Sequence, residues 1–444
     1  MNLIEAIYNA LRLPELRNKI LFTGGLLVAF RLFANISIPN ASQAALSQLF
    51  NSQALLGLLD LFSGGGLSTF SVVAMGVNPY INASIIMQLM TVISERVKEI
   101  SKEGEQGRRR ITRWTRYLTV ALALGQAYGY TVLFQNVNPP ILPANMDWFQ
   151  RVTIMVTMTA GTILAMWFGE LITEYGIGNG ISLVIFAGII GRGPRAVYSA
   201  IVGHTGTGGL ADYLPFILLV VIALVAIAFV IEVQQAVRKI PIQSAQRLTG
   251  GRTVQGRQSF LPLRVNQAGV IPIIFALSIM TFPGILAGYL QATPTDTPWH
   301  SAALWVQGNW SASSANPTAV AAYNVLYFLF IFGFTYFYTA VTFDVNDVAD
   351  NLRRYSSFIP GIRPGRPTAE YLAAVMNRIT FAGAIFLGLI TVALPLGAAR
   401  LTNIPQNQMY LGGTALLIVV GVALDTMKQL ETQLIMRQYR GFIR

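Results

Sequence analysis

Ten apolar stretches punctuate these 444 residues, near 20–38, 73–94, 117–135, 152–172, 179–199, 214–234, 268–290, 320–343, 379–398 and 410–427. A helix needs about 20 apolar residues to cross a hydrocarbon core, and each stretch approaches that length. Asp, Glu, Lys and Arg together make up 11% of the chain. A soluble domain carries about 25%. There is too little charge to clothe so much apolar surface in water, so lipid must cover it. The expected fold is an all-α membrane protein with ten transmembrane helices. Residues 3–13 form a short amphipathic stretch (Leu3, Ile4, Ile7, Leu11) that ends at Pro14 and is expected to lie at the membrane surface. The first span has no small-residue cleavage site, so it is expected to stay on the protein.

The net charge of +12 suggests a nucleic-acid binder until its placement is examined. With the N-terminus in the cytoplasm, 26 of the 31 Lys and Arg residues fall in cytoplasmic segments. Outside are Arg151, Arg192, Arg195 and Arg400, and Arg31 lies within the first span. Basic residues gather on the cytoplasmic side of membrane proteins. A wrong span count would scramble the split, so the asymmetry supports both the count and the placement of both termini in the cytoplasm.

Catalytic and metal chemistry finds little material. There is no Cys, and only His204 and His300 are present, without ligand spacing. Gly251-x4-Gly256 has the glycine spacing of a phosphate-binding loop, but Arg257 and Gln258 stand where Lys and Ser/Thr belong. Apart from Arg31 and Asp425 the spans are nearly free of charge. Ion-coupled transporters use intramembrane charges as relays, and solute transporters gather polar groups at broken helices. A membrane enzyme would need a nucleophile–base pair. None is visible, so the expectation is no enzyme, no cofactor and no metal.

Two long cytoplasmic loops, about 235–267 and 344–378, mix basic residues with Gly and Pro turn signals. They serve either as topology determinants attracted to anionic membrane lipids or as docking sites for a large partner, phosphate-rich RNA or an acidic protein surface. Residues 55–71 are apolar but interrupted by Gly64, Gly65 and Gly66. On composition they fit either an external loop or a re-entrant, plugging segment. Pro79 is expected to weaken the first turn of the second span. Gly125 and Gly129 form a GxxxG expected to permit close helix packing.

Five strings are more specific: GVNPYINASIIMQL (76–89), ITEYGIGNGISLVIFAGI (172–189), LPLRVNQAGVIPIIFA (261–276), FIPGIRPGRPTAEY (358–371) and GGTALLIVVGVALDT (412–426). In this order and spacing the chain resembles, over its whole length, the bacterial SecY family, central subunits of protein-translocation channels. The resemblance implies two pseudo-symmetric five-helix halves, 1–200 and 201–444, around an hourglass pore in the bacterial cytoplasmic membrane. Unfolded secretory polypeptides cross that pore, and membrane-protein helices leave it sideways through a lateral gate. Implied partners are SecE and SecG subunits, the SecA ATPase, the ribosome with its rRNA, and signal peptides and nascent chains.

Carried over by motif, the resemblance implies a pore ring of Val77, Ile81, Ile181, Ile185, Ile274 and Ile418. By spacing alone these are ordinary apolar residues. A plug is implied at about 58–72, with Leu61, Phe62 and the Gly64–Gly66 run. The lateral gate is implied between the spans beginning near 73 and 268, with Asn82 and Gln126 on its polar face and Phe282 opposite. Arg363 is the implied contact for SecA and the ribosome, helped by Arg247, Arg252 and Arg257. Asn78 and Asn82 depart from the family pattern by being more polar, which puts the strength of the closed gate in doubt. The chain ends at Arg444, so contacts that longer tails make are expected to be missing.

Overall fold

The structure is a computed structural model. It describes residues 12–39, 41–52, 60, 63–136, 140–143, 145–202, 214–244, 247–249, 252–254, 258–290, 297–310, 314, 316–402 and 412–441. Each of the ten apolar stretches coincides with a helix. In order these are α1 (Pro14–Phe33), α3 (Asn78–Ile93), α5 (Glu105–Asn136), α6 (Trp148–Tyr175), α7 (Gly180–Val202), α8 (Leu214–Gln235), α9 (Ile271–Leu290), α11 (Pro317–Thr342), α13 (Arg366–Gly388) and α15 (Gly413–Gly441). Shorter helices lie between them: α2 (Gln43–Ser52), α4 (Glu95–Lys102), α10 (Pro298–Asn309) and α12 (Val345–Arg354). A wide π-type turn, Leu389–Ala393, carries α13 without a break into α14 (Leu394–Thr402). Among the described residues, six helices are long and apolar enough to cross a membrane by length and composition.

Several spans reach well beyond their apolar cores. α5 begins twelve residues before 117, at Glu105, and so lifts Arg108, Arg109, Arg110, Arg113 and Arg116 onto a helix rather than a loop. α13 begins at Arg366 because its polar first half is covered by other protein rather than by lipid. Its Leu372, Val375, Met376 and Ile379 pack with Ile240, Leu263 and Ile359 in one apolar cluster.

Those last three residues come from the two long loops near 235–267 and 344–378, which contain strands. β1 (Val237–Ser244) pairs antiparallel with β4 (Gln258–Arg264), in a register that sets Ile240 against Leu261. Between them β2 (Arg247–Thr249) and β3 (Arg252–Val254) make a second small ladder. β5 (Ser357–Phe358), from the other loop, adds to the far edge of β1, with Gln243 opposite Phe358. The fold is mostly helical as expected, and the two loops add these short strands to it. One hairpin face is buried at Ile240 and Leu263, while Val237 and Phe260 on the opposite face are exposed, the alternation a half-buried sheet requires.

Two local expectations fail. α3 starts at Asn78, not 73, and Pro79 sits in its first turn, where the missing N–H has no helical partner to lose. Pro79 therefore starts this helix rather than weakening it. Gly125 lies on an exposed face of α5, and a Cβ there would meet nothing within 4 Å. The GxxxG is thus no close-packing motif within this chain, although Gly129 is buried.

Candidate functional site

The start of α3 and the helices α7, α9 and α15 all contribute to one large apolar cluster, in which α3 packs against α9 and α7 against α15. Val77 caps α3 and Ile81 stands one turn later, its N–H donating to the Val77 carbonyl at 3.0 Å. Both side chains are buried, as are Ile185 on α7, Ile274 on α9 and Ile418 on α15, and all five belong to this cluster. Ile181 is half-buried and packs against it. Five aliphatic side chains far apart in sequence thus share one buried cluster, with Ile181 packed against it.

The GIGNG turn places the α7 pair. Gly178 takes φ +87°, a left-handed conformation natural to glycine. Asn179 then caps α7, its Oδ1 accepting from the Ser182 N–H at 3.2 Å. The Gly180 N–H donates to Thr173 Oγ1 at 2.9 Å, which fastens the turn to α6.

Next to the cluster, residues 63–77 form a chain of tight turns folded inward, not an exposed external loop. Asp60 and Ser63 are buried, and Asp60 Oδ1 accepts from Ser63 Oγ at 3.0 Å and from the N–H groups of Leu67 and Ser68 at 3.0 and 2.9 Å. One carboxylate therefore sets the shape of the segment. Gly64 and Gly65 take φ +66° and +90°. Gly64 has a second constraint, because a Cβ there would lie 3.0 Å from Gly188 Cα of α7 and from the Phe30 ring of α1. Of the implied plug residues, Gly64 and Gly66 are buried and Gly65 is half-buried, while Leu61 and Phe62 lie outside the described residues.

The segment is also tied to α1 and the strand-like chain after it. The Ile38 N–H donates to the Phe70 carbonyl at 2.8 Å, and the Val72 N–H to Ile36 at 3.0 Å. Thr69 Oγ1 donates to the Ala34 carbonyl at 2.9 Å. Arg31, the one cation within the first span, donates from Nη1 to the Gly64 carbonyl. Phe70 holds φ +45° while fully buried, with its ring edge-on to Phe134 at 5.2 Å between centroids. A bulky residue in that region stores about 1–3 kcal/mol of strain, compensated here by aromatic packing.

Arg31→Met should loosen this segment without unfolding the protein. A hydrogen bond from a charged donor contributes about 1.5–3 kcal/mol, so amide exchange at Leu67 and Ser71 is expected to speed up by about tenfold to a hundredfold. Hydrogen-exchange mass spectrometry on the purified variant measures it, and unchanged rates would show that Arg31 does not hold the segment.

The implied gate residues lie on three helices. α9 packs against both α3 and α5. Asn82 on α3 and Gln126 on α5 are half-buried, and the Gln126 Oε1 is buried without a hydrogen bond. Phe282 on α9 is 61% exposed, an outward apolar side chain on a membrane helix. Asn78, the polar departure beside the ring, is buried.

Arg363 is exposed on the second long loop, between Gly361 and Gly365, whose φ values are +82° and +100°. Thr368 Oγ1 donates to the Arg363 carbonyl at 2.8 Å and so fixes the backbone beneath the guanidinium. Arg247 is on β2 and Arg252 on β3, and Arg257 lies outside the described residues. Sequence reasoning missed Asp60, the residue that shapes the inward segment. Its signal was a carboxylate inside an otherwise apolar, glycine-rich run.

Known proteins resemble this chain in sequence and in fold. The SecY family model matches residues 71–427. The protein translocase subunit SecY of Streptomyces scabiei is 43% identical, with 100% of each chain covered. A solved structure of a protein conducting channel matches with a TM-score of 0.65 at 17% identity, covering 93% of this chain and 91% of that one. Sec61 in a canine ribosome–channel complex from the endoplasmic reticulum matches with a TM-score of 0.63 at 16% identity, with the same coverage.

Proposed function

Because the chain belongs to the SecY family, we propose that it is the protein-conducting subunit of a translocation channel, moving unfolded secretory polypeptides across the membrane and releasing membrane-protein helices sideways into lipid. The observation that supports this reading is that Val77, Ile81, Ile185, Ile274 and Ile418, from four separate helices, belong to one buried apolar cluster, with Ile181 packed against it, beside an inward-folded segment.

The chemistry fits. A narrow aliphatic constriction expels water and so resists ions, while its soft side chains yield to any peptide. It forms no hydrogen bond that would favour one substrate sequence. In this reading the halves are 1–200 and 201–444, and the six residues form the ring between them. The turns around Gly64–Gly66, together with Leu61 and Phe62, form the plug. The α3–α9 seam, with Asn82, Gln126 and Phe282, forms the lateral gate. The membrane is the bacterial cytoplasmic membrane, with both termini in the cytoplasm.

SecE and SecG complete the channel. SecA or the ribosome docks on the basic cytoplasmic loops through Arg363, aided by Arg247, Arg252 and Arg257. Exposure of Arg363 on a rigid, glycine-bounded turn supports that role, since a docking cation must be reachable and held.

The test reconstitutes the chain with a SecE partner in vesicles and adds SecA, ATP and a fluorescent preprotein. Wild type is expected to give protease-protected preprotein. Arg363→Glu is expected to lose most of it, because a docking cation becomes a like charge toward its partner, which costs several kcal/mol at an interface. Equal protection in both would remove Arg363 from its role. No protection with folded wild type would count against the channel.

A further inference from the structure

We propose that the cytoplasmic mouth of the channel holds its substrate by the polypeptide main chain, through side-chain amides of Gln234, Asn266 and Gln267. This rests on the reading of the chain as a polypeptide channel and identifies the part of the substrate that is recognised there.

A cavity of about 580 Å³ opens where the cytoplasmic ends of α7, α8, α9, α11 and α15 converge. Gln234, in the last turn of α8, lines it, as do Asn266 and Gln267 in the link from β4 to α9. In all three an amide atom is buried without a hydrogen-bond partner: Nε2 of Gln234, Oδ1 of Asn266 and Oε1 of Gln267. Asn266 is 6% exposed, and its Nδ2 donates to the Gly269 carbonyl at 3.1 Å, which pins the amide in place.

Leaving a buried amide atom unpaired costs about 1–3 kcal/mol, so three in one wall form a poor resting place for anything but water or a ligand. The three amides offer one donor and two acceptors and carry no charge themselves, while of the charged residues lining the cavity Arg264 faces Asp425 at 3.7 Å and Lys428 stands beside them. A neutral partner with alternating donors and acceptors satisfies such a wall. An extended polypeptide presents one N–H and one C=O every ~3.3 Å along its length. Its N–H groups suit Asn266 and Gln267, and its carbonyls suit Gln234. The main chain is also the one feature shared by every substrate. The aliphatic cluster deeper in the pore makes no polar contact with it, so a grip that ignores sequence must lie elsewhere, and these amides supply one.

The experiment stalls a preprotein in the reconstituted channel and measures how long it is retained after ATP is removed. The stalled segment is either glycine–serine or the same segment with N-methylglycine in place of glycine, which lacks the N–H. Wild type is expected to retain the ordinary segment about threefold to tenfold longer than the methylated one. Gln234→Leu/Gln267→Leu, matched in size but apolar, is expected to shorten retention of the ordinary segment by a similar factor and to erase the difference. Equal retention of both segments by wild type overturns the proposal even if the variant does not fold. Variant retention equal to wild type overturns it as well. A wild-type channel that carries neither segment overturns the channel reading along with this one.

Discussion

Gly161→Leu should leave no folded channel to purify. Gly161 lies on α6 where that helix touches the inward segment backbone to backbone, and a Cβ there would collide with the Val72 carbonyl oxygen and press on Val73 N at 3.1 Å. Backbone cannot swing aside as a side-chain tip can. Overfilling a packed core costs about 1–3 kcal/mol where neighbours can adjust, and more where they cannot. The 63–77 segment would be forced off α6, exposing the buried Asp60 and Ser63 network that it encloses. Gly125→Leu adds the same atoms to an exposed face of α5 where nothing lies within 4 Å, and should stay within about 0.5 kcal/mol of wild type. Size-exclusion profiles and thermal midpoints in detergent compare the two. Similar yields and midpoints would contradict the close approach.

Making the proposed constriction polar should separate sealing from transport. With Ile81→Asn, Ile185→Asn and Ile418→Asn together, three buried aliphatic groups become amides that each need about 1–3 kcal/mol of hydrogen bonding, which water entering the constriction supplies. Every 1.4 kcal/mol taken from the barrier to a hydrated ion is a factor of ten, so resting ion efflux from loaded vesicles should rise by on the order of tenfold or more. Preprotein transport should continue, because a polypeptide needs only space there. A tight triple variant would show that these side chains do not form the seal.

The helices were legible because apolar length is a strong signal, and errors gathered where protein rather than lipid covers a helix. α13 begins far ahead of its apolar core since Leu372 and Val375 face the loop cluster, and no hydropathy pattern distinguishes that from a polar loop. The β1–β4 hairpin was hidden by its own prolines. Pro241 and Pro262 argue against strands, yet in the observed register both fall on the hairpin's exposed face, paired with Phe260 and Lys239. The inward segment was legible only as a glycine run. What shapes it is a carboxylate reaching seven and eight residues ahead, together with a phenylalanine in a left-handed conformation, and neither follows from local propensity. The aliphatic cluster is the opposite case. Its residues look like any others in the chain, and only resemblance of whole motifs singled them out before the fold brought them together.

The pairing of β5 with β1 has a mechanical consequence. Two separate loops would move independently of one another. Here the loop bearing Arg363 and the hairpin bearing Arg247 and Arg252 share a sheet edge and one apolar core with the first half of α13. That helix continues through its wide turn to Thr402 without a break. A displacement of either loop is therefore passed to the first half of α13 rather than absorbed locally.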